Sequence, residues 1–228
     1  MQLEKLPTGP NVPDELYVVI EIPAYGPGIK FEFEKASGAL LVDRFLATPM
    51  HYPCNYGFIP HTLSLDGDPL DALVLTPLPL ISGTVIACRP VGVLETEDDG
   101  GGDEKILCVP LAKITRQYDH VQEVEHVPPM LVRQIEHFFS HYKDLEEGKW
   151  MKLKGWADSA RAKYYINRSV QRFAEIVCDG IRRDLGGLRV DRGEAIHETA
   201  RRASRDRARH RRLVRSVEER RAVARVCE

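Results

Sequence analysis

Between Leu16 and Pro110 the chain is a succession of short β-rich runs with no helical periodicity between any two of them. That narrows the fold sharply, because parallel strands laid side by side need long crossovers, usually helical. The first run, Leu16–Ile22, is closed by Pro23. In Ile29–Glu34 apolar and charged residues alternate strictly, the period of a strand with two unlike faces. Ser37-Gly38 is a turn signal, and Ala39–Phe45 reads as the returning strand of a hairpin. Further runs at 72–75, 84–94 and 106–110 are separated by loops rich in Pro, Gly and Asp. Short strands with such punctuation predict a small barrel.

Two helices are expected late in the chain. Leu131, Ile135, Phe138, Phe139 and Tyr142 recur at helical spacing after Pro128-Pro129, which suits a helix start. Ala162, Ile166, Val170, Phe173 and Val177 form a second stripe, with Asp158 or Ser159 available as its cap and an end near Gly180. Gly186-Gly187 then reads as a linker to an Arg-rich segment without aromatic residues, too poor in large apolar groups to build its own core. The expected division is a folded domain over residues 1–178 and a solvated or poorly ordered extension over 179–228.

Charge follows the same division. The formal net charge is -2, yet residues 175–228 hold 15 Arg, no Lys and 10 acids, a balance of +5, leaving -7 for the rest. An acidic body can still bind a polyanion if divalent cations come between them. The Met1 end shows no basic segment followed by an apolar one, and no apolar run reaches membrane-spanning length. Five scattered cysteines without a CxxC pair argue against a disulfide framework and a structural zinc site. These features suit a reduced, cytoplasmic compartment.

The sharpest local feature is Asp66-Gly67-Asp68-Pro69-Leu70-Asp71-Ala72, three carboxylates within six positions. On a continuous strand Asp71 would oppose Asp66 and Asp68, but Gly67 and Pro69 permit a bend that gathers all three. Two unit charges about 4 Å apart repel by roughly 4 kcal/mol at an effective dielectric near 20, so such a cluster calls for a cation. Oxygen donors favour Mg²⁺, Mn²⁺ or Ca²⁺. The competing reading is an exposed turn, for which Asp, Gly and Pro are the usual residues. An EF-hand loop fails on position, since Asp71 and Pro77 stand where a glycine and a glutamate are required.

A second acidic loop, from Glu97 through Asp98, Asp99 and Asp103 to Glu104-Lys105, offers further oxygen donors beside a cation, or is simply solvated. Lys30, Arg44, Tyr52, Tyr56, Tyr142 and Lys143 form a cationic and phenolic set of the kind that phosphate oxygens bind. Lys30 and Glu32 could equally face solvent, and Tyr142 could be a core residue of its helical stripe.

Together these residues resemble the soluble inorganic pyrophosphatases of the β-barrel type (type I). Asp66 to Ala72 matches that family's signature motif. The likeness extends to I-E-I-P at 20–23, I-K-F-E at 29–32, V-D-R-F at 42–45, Y-P-C-N-Y-G at 52–57, R-P-V-G-V-L at 89–94 and H-F-F-S-H-Y-K-D-L-E at 137–146. It spans roughly residues 10 to 173 in order.

The resemblance implies an α+β, mainly β fold, a closed OB-like five-stranded barrel flanked by two C-terminal helices. It implies hydrolysis of pyrophosphate to two phosphates by direct in-line attack of a metal-activated water, with several Mg²⁺ per site and Mn²⁺ or Zn²⁺ as substitutes. By position, Asp66, Asp71, Asp98 and Asp103 are implied as metal ligands and Asp68 as the general base. Lys30, Arg44, Tyr56, Tyr142, Lys143 and Lys105 are implied as substrate-binding, with Glu21, Glu32 and Tyr52 accessory. A homo-oligomer, a hexamer in bacterial members, is implied too. A nucleic-acid-binding barrel is disfavoured because the motif carboxylates would repel a phosphate backbone, and no GxxxxGK[ST] loop for a nucleoside triphosphate occurs.

Overall fold

The protein is represented by a computed structural model that describes residues 3–34, 37–98 and 100–186. Asp99 and the segment 187–228, most of the expected extension, lie outside them. The chain divides into two compact units, Met1–Phe173 and Ala174–Glu228, and every strand named here belongs to the first.

Among the described residues nine strands form: β1 (Leu16–Ile22), β2 (Ile29–Glu34), β3 (Ala39–Phe45), β4 (Asn55–Phe58), β5 (Asp71–Val74), β6 (Val85–Asp98), β7 (Gly101–Gly102), β8 (Lys105–Pro110) and β9 (Met151–Ala157). The helices are α1 (Pro129–His141) and α2 (Ser159–Gly186). Hydrogen bonding runs β1–β4–β5–β8–β6 and returns to β1, so five strands close on themselves and leave no edge among them. All ring pairings are antiparallel except β5–β8. β7 and β9 extend from the long β6, while β2 and β3 form a separate hairpin.

Side chains on the ring strands alternate between two apolar clusters. One takes Leu16, Val18, Ile20, Val74, Ile106 and Cys108 together with Ala162 and Ile166 of α2. The other takes Leu73, Leu94, Leu107 and Val109 with Ile135, Phe138 and Phe139 of α1. Strand β8 is therefore buried along its whole length, which accounts for its near-continuous apolar sequence. The hairpin joins through Phe33, packed with Val19, Leu3 and Phe58.

Pro129 opens α1 as its first residue, and Asp158 caps α2 by accepting the Arg161 backbone N–H at 2.8 Å. The expected helix end near Gly180 is corrected, since α2 continues to Gly186. Three strands lacked an expectation, β4, the two-residue β7 and β9, and the strand begun near Thr84 runs on to Asp98. Cys54, Cys88 and Cys108 are free and buried, and Cys178 is disulfide-bonded.

Candidate active site

The parallel register of β5 on β8 pairs Asp71 with Lys105. The Lys105 side chain, 2% exposed, donates from Nζ to Asp71 Oδ2 and Asp103 Oδ1, each at 2.8 Å. Its ammonium also lies 5.7 Å from the Tyr56 ring centroid and 5.3 Å from that of Phe139. Burial opposes its charge, but Asp71 and Asp103 hold its pKa well above the usual lysine value, so it stays protonated. Tyr56, on β4, donates its hydroxyl to Asp71 Oδ2. Burial still pushes the Asp71 carboxyl up to about 6, against the pull of Lys105.

Asp66 and Asp68 stand in a turn ahead of β5. Gly67 takes φ 93°, a left-handed conformation that suits glycine. The Asp68 backbone N–H donates to Asp66 Oδ1 at 3.0 Å, and the Ser64 N–H to the Asp68 carbonyl at 2.7 Å. The bend through Gly67 and Pro69 thus gathers the carboxylates that a straight strand would separate. Although Asp66 is exposed as a residue, partial burial of its carboxyl and the charges of Asp103 and Asp68 raise its pKa.

Asp98 and Asp103 come from the β6–β7–β8 turn, where Glu97 and Asp98 pair with Gly102 and Gly101. Lys143, just past α1, donates to Asp98 Oδ2 at 2.8 Å. The β2–β3 hairpin supplies Lys30 and Arg44 directly across from each other. The register slips after this pair, which leaves Asp43 as the extra residue of a bulge. Asp43 Oδ2 then meets Lys30 Nζ at 3.2 Å and Arg44 at 2.7 Å, and Arg44 Nε reaches Glu146 at 3.3 Å. Another register irregularity, between Ile20 and Ile22, falls at Glu21. That carboxyl accepts the Phe33 N–H at 2.9 Å, yet burial lifts its pKa to about 8, helped by Asp71 and Glu32. Tyr52 packs its ring on Tyr56, Phe138 and Phe139, and Tyr142 stacks on Phe138. Tyr142 is therefore both a core ring and a wall of the site.

One cavity of about 410 Å³ collects all of these groups. Glu21, Lys30, Glu32, Arg44, Tyr52, Tyr56, Asp66, Asp68, Asp71, Asp98, Asp103, Lys105, Tyr142 and Lys143 each line it, so it holds every residue to which the resemblance assigns a role; Glu97 and Glu104 of the second acidic loop do not line it. His61, Thr62 and Lys149 line it as well without having been singled out. Asp43 and Glu146 were also missed, though both lie inside motif segments; their partners become visible only when the hairpin meets the end of α1.

Among the described residues no group of three His, Cys, Asp or Glu side chains forms a ready-made metal cage. The donor set nevertheless fits a hard divalent cation. Asp66, Asp71, Asp98 and Asp103 offer carboxylate oxygens to one cavity, and burial, with neighbouring carboxylates adding to it, raises the pKa values of Asp66, Asp71 and Glu21.

Residues 18–174 match the family model described as inorganic pyrophosphatase. The chain is 56% identical over 172 residues to an inorganic pyrophosphatase of Vibrio cholerae, covering 75% of this chain and 98% of the relative. It is 55% identical over 172 residues to that of Escherichia coli K12, with the same coverage. An inorganic pyrophosphatase structure from Coxiella burnetii superposes with a TM-score of 0.71 at 47% identity, over 74% of this chain and 99% of that one. The Thermus thermophilus structure gives 0.72 at 42%, over 76% and 99%.

Proposed function

The chain belongs to the inorganic pyrophosphatase family, and from that premise we propose that it hydrolyses pyrophosphate to two orthophosphates with Mg²⁺ as its activating ion. The observation that carries this reading is the convergence, on one cavity, of four candidate metal-binding aspartates from two loops, a candidate base and a set of Lys, Arg and Tyr donors. A cavity carrying both signs of charge suits an anionic substrate that arrives with its own cation.

In this reading Asp66, Asp71 and Asp103 hold the activating ion, and Asp98 and Asp103 the ion that accompanies the substrate. Bound there, a divalent cation supplies positive charge that neutralises the carboxylates and lowers the proton affinity of water. Lys30, Arg44, Tyr142 and Lys143 clamp the phosphoryl oxygens, with Tyr56 and Lys105 behind them. Glu146 and Asp43 keep Arg44 and Lys30 oriented until the phosphates arrive. Asp68, exposed at the cavity wall, accepts the proton of the attacking water. Attack proceeds in line on one phosphorus, and the cationic set stabilises the charge that develops on the leaving phosphate, so no covalent intermediate is needed. Glu21, Glu32 and Tyr52 support the acidic side and the ring wall.

Mn²⁺ or Zn²⁺ substitutes for Mg²⁺ in this scheme, and the chain acts in the cytoplasm as a homo-oligomer, a hexamer. Residues 1–178 carry the activity, with 179–228 an appendage. Phosphate release from pyrophosphate, measured with Mg²⁺ and with EDTA or Ca²⁺ as controls, tests the reading. Release only with Mg²⁺ is expected; none under any condition by folded protein sinks it.

A further inference from the structure

The aspartates of the 64–68 turn are held by backbone hydrogen bonds that end in α2. Residues 59–70 form a loop whose ends meet: the Ile59 N–H donates to Leu70 O at 2.9 Å, and the Leu70 N–H to Thr62 Oγ1, also at 2.9 Å. Thr62 Oγ1 in turn donates to Ile59 O at 2.5 Å. Between this closed base and the tip lies Leu63. Its N–H donates to the Ser169 carbonyl at 3.0 Å, and its carbonyl accepts from Arg172 Nε at 2.8 Å. Arg172 is itself fixed by a second bond, from its terminal nitrogen to Ser169 Oγ at 3.0 Å, and Ser169 is fully buried.

Both backbone groups of one residue are thus held by adjacent turns of a helix, directly before the tip that carries Asp66 and Asp68. A planar guanidinium suits this task, because its fork spends one donor on the loop and another on the helix.

We propose that Arg172, braced by Ser169, is a positioning residue that fixes the Asp66–Asp68 turn in the cavity and thereby sets the turnover rate. This rests on the proposed hydrolysis, in which Asp68 handles the proton of the attacking water. Misplacing such a group by about 1 Å costs up to roughly a hundredfold in rate. Lys30, Arg44, Tyr142 and Lys143 come from other elements and keep their places, so substrate affinity is little affected.

The test uses the full chain with Arg172→Ala, Arg172→Lys, Ser169→Ala and Arg168→Ala, the last a control whose side chain meets Gln171 on the same helix. In Arg172→Ala, kcat is expected to fall about ten- to hundredfold while KM for pyrophosphate stays within about threefold. Amide exchange at 64–68 is expected to quicken in the metal-free protein. Arg172→Lys restores part of kcat, Ser169→Ala loses a few-fold, and Arg168→Ala matches wild type. Wild-type kcat in both Arg172→Ala and Ser169→Ala overturns the proposal, as does a rise in KM alone. If Arg172→Ala fails to fold, Arg172→Lys and Ser169→Ala decide by the same readouts. A wild-type chain that leaves pyrophosphate intact sinks the hydrolytic reading instead, and the exchange comparison still decides whether Arg172 holds the turn.

Discussion

The apolar clusters and the charged cavity are built from the same strands, often from adjacent residues. Ile106 and Lys105 are neighbours on β8 and both fully buried, yet one meets Val74 and Cys108 and the other meets Asp71 and Asp103. Burying Ile106 stabilises the fold by about 1.5–3 kcal/mol. Burying Lys105 repays its desolvation only through Asp71 and Asp103, and burial itself disfavours the Asp71 charge. The ring therefore supplies the stability, and the cavity holds groups whose charge the fold alone does not balance.

That contrast fails if damage to either region reads out in the other. The largest effect is expected from Asp68→Asn. As an exposed residue it should leave the melting temperature near wild type, while kcat falls by about 10²–10⁴ and substrate binding is largely kept. Steady-state kinetics beside thermal melts check this, and near-normal turnover removes Asp68 from its role. Leu107→Ala, in the cluster shared with α1, is the converse. It should cost about 2–5 kcal/mol of stability in denaturant melts and leave activity per folded molecule nearly unchanged.

A smaller effect probes the contrast from within the cavity. Glu21 has a folded pKa of about 8 against an ordinary 4.5. Above about pH 4.5 the unfolded chain gives up this proton and the folded chain keeps it, so Glu21 makes metal-free stability fall as pH rises toward 8. Glu21→Gln should flatten that slope, as read by melting the metal-free protein at intervals from pH 5 to 8.5. Smallest is Arg116→Ala, whose side chain is 87% exposed beside Asp119; its stability should stay within about 0.5 kcal/mol of wild type.

Legibility in the sequence divides along the same line. Apolar periodicity located β1, both helices and the buried β8, because burial acts on residue type directly, whereas the largely exposed hairpin β2–β3 was legible from its alternation and its turn. β4 escaped because Asn55-Tyr56-Gly57-Phe58 looks like a loop, and its glycine answers a distant need. A Cβ at Gly57 would stand 1.9 Å from the Val19 carbonyl. β9 did carry a signal, the alternation Met151-Lys152-Leu153-Lys154. In the cavity, the resemblance named the groups that the proposed reading gives to metal and substrate, whereas those that hold them in place were hidden. Glu146 lies 102 positions from Arg44, and Arg172 lies 109 from Leu63. Asp43 owes its reach to a bulge, and no pattern of residue types announces a register slip.

At the root of this picture, seven carboxylates share the cavity with five Lys and Arg side chains, and the proposed reading gives divalent cations the task of balancing the excess. The decisive measurement is a titration of Mg²⁺ into the metal-free full chain at pH 8, followed by melting temperature. A rise that grows with Mg²⁺ concentration is predicted in wild type and in Leu107→Ala, and it should be largely lost in Asp71→Asn. A wild-type melting temperature indifferent to Mg²⁺, or an equal rise in Asp71→Asn, would refute it.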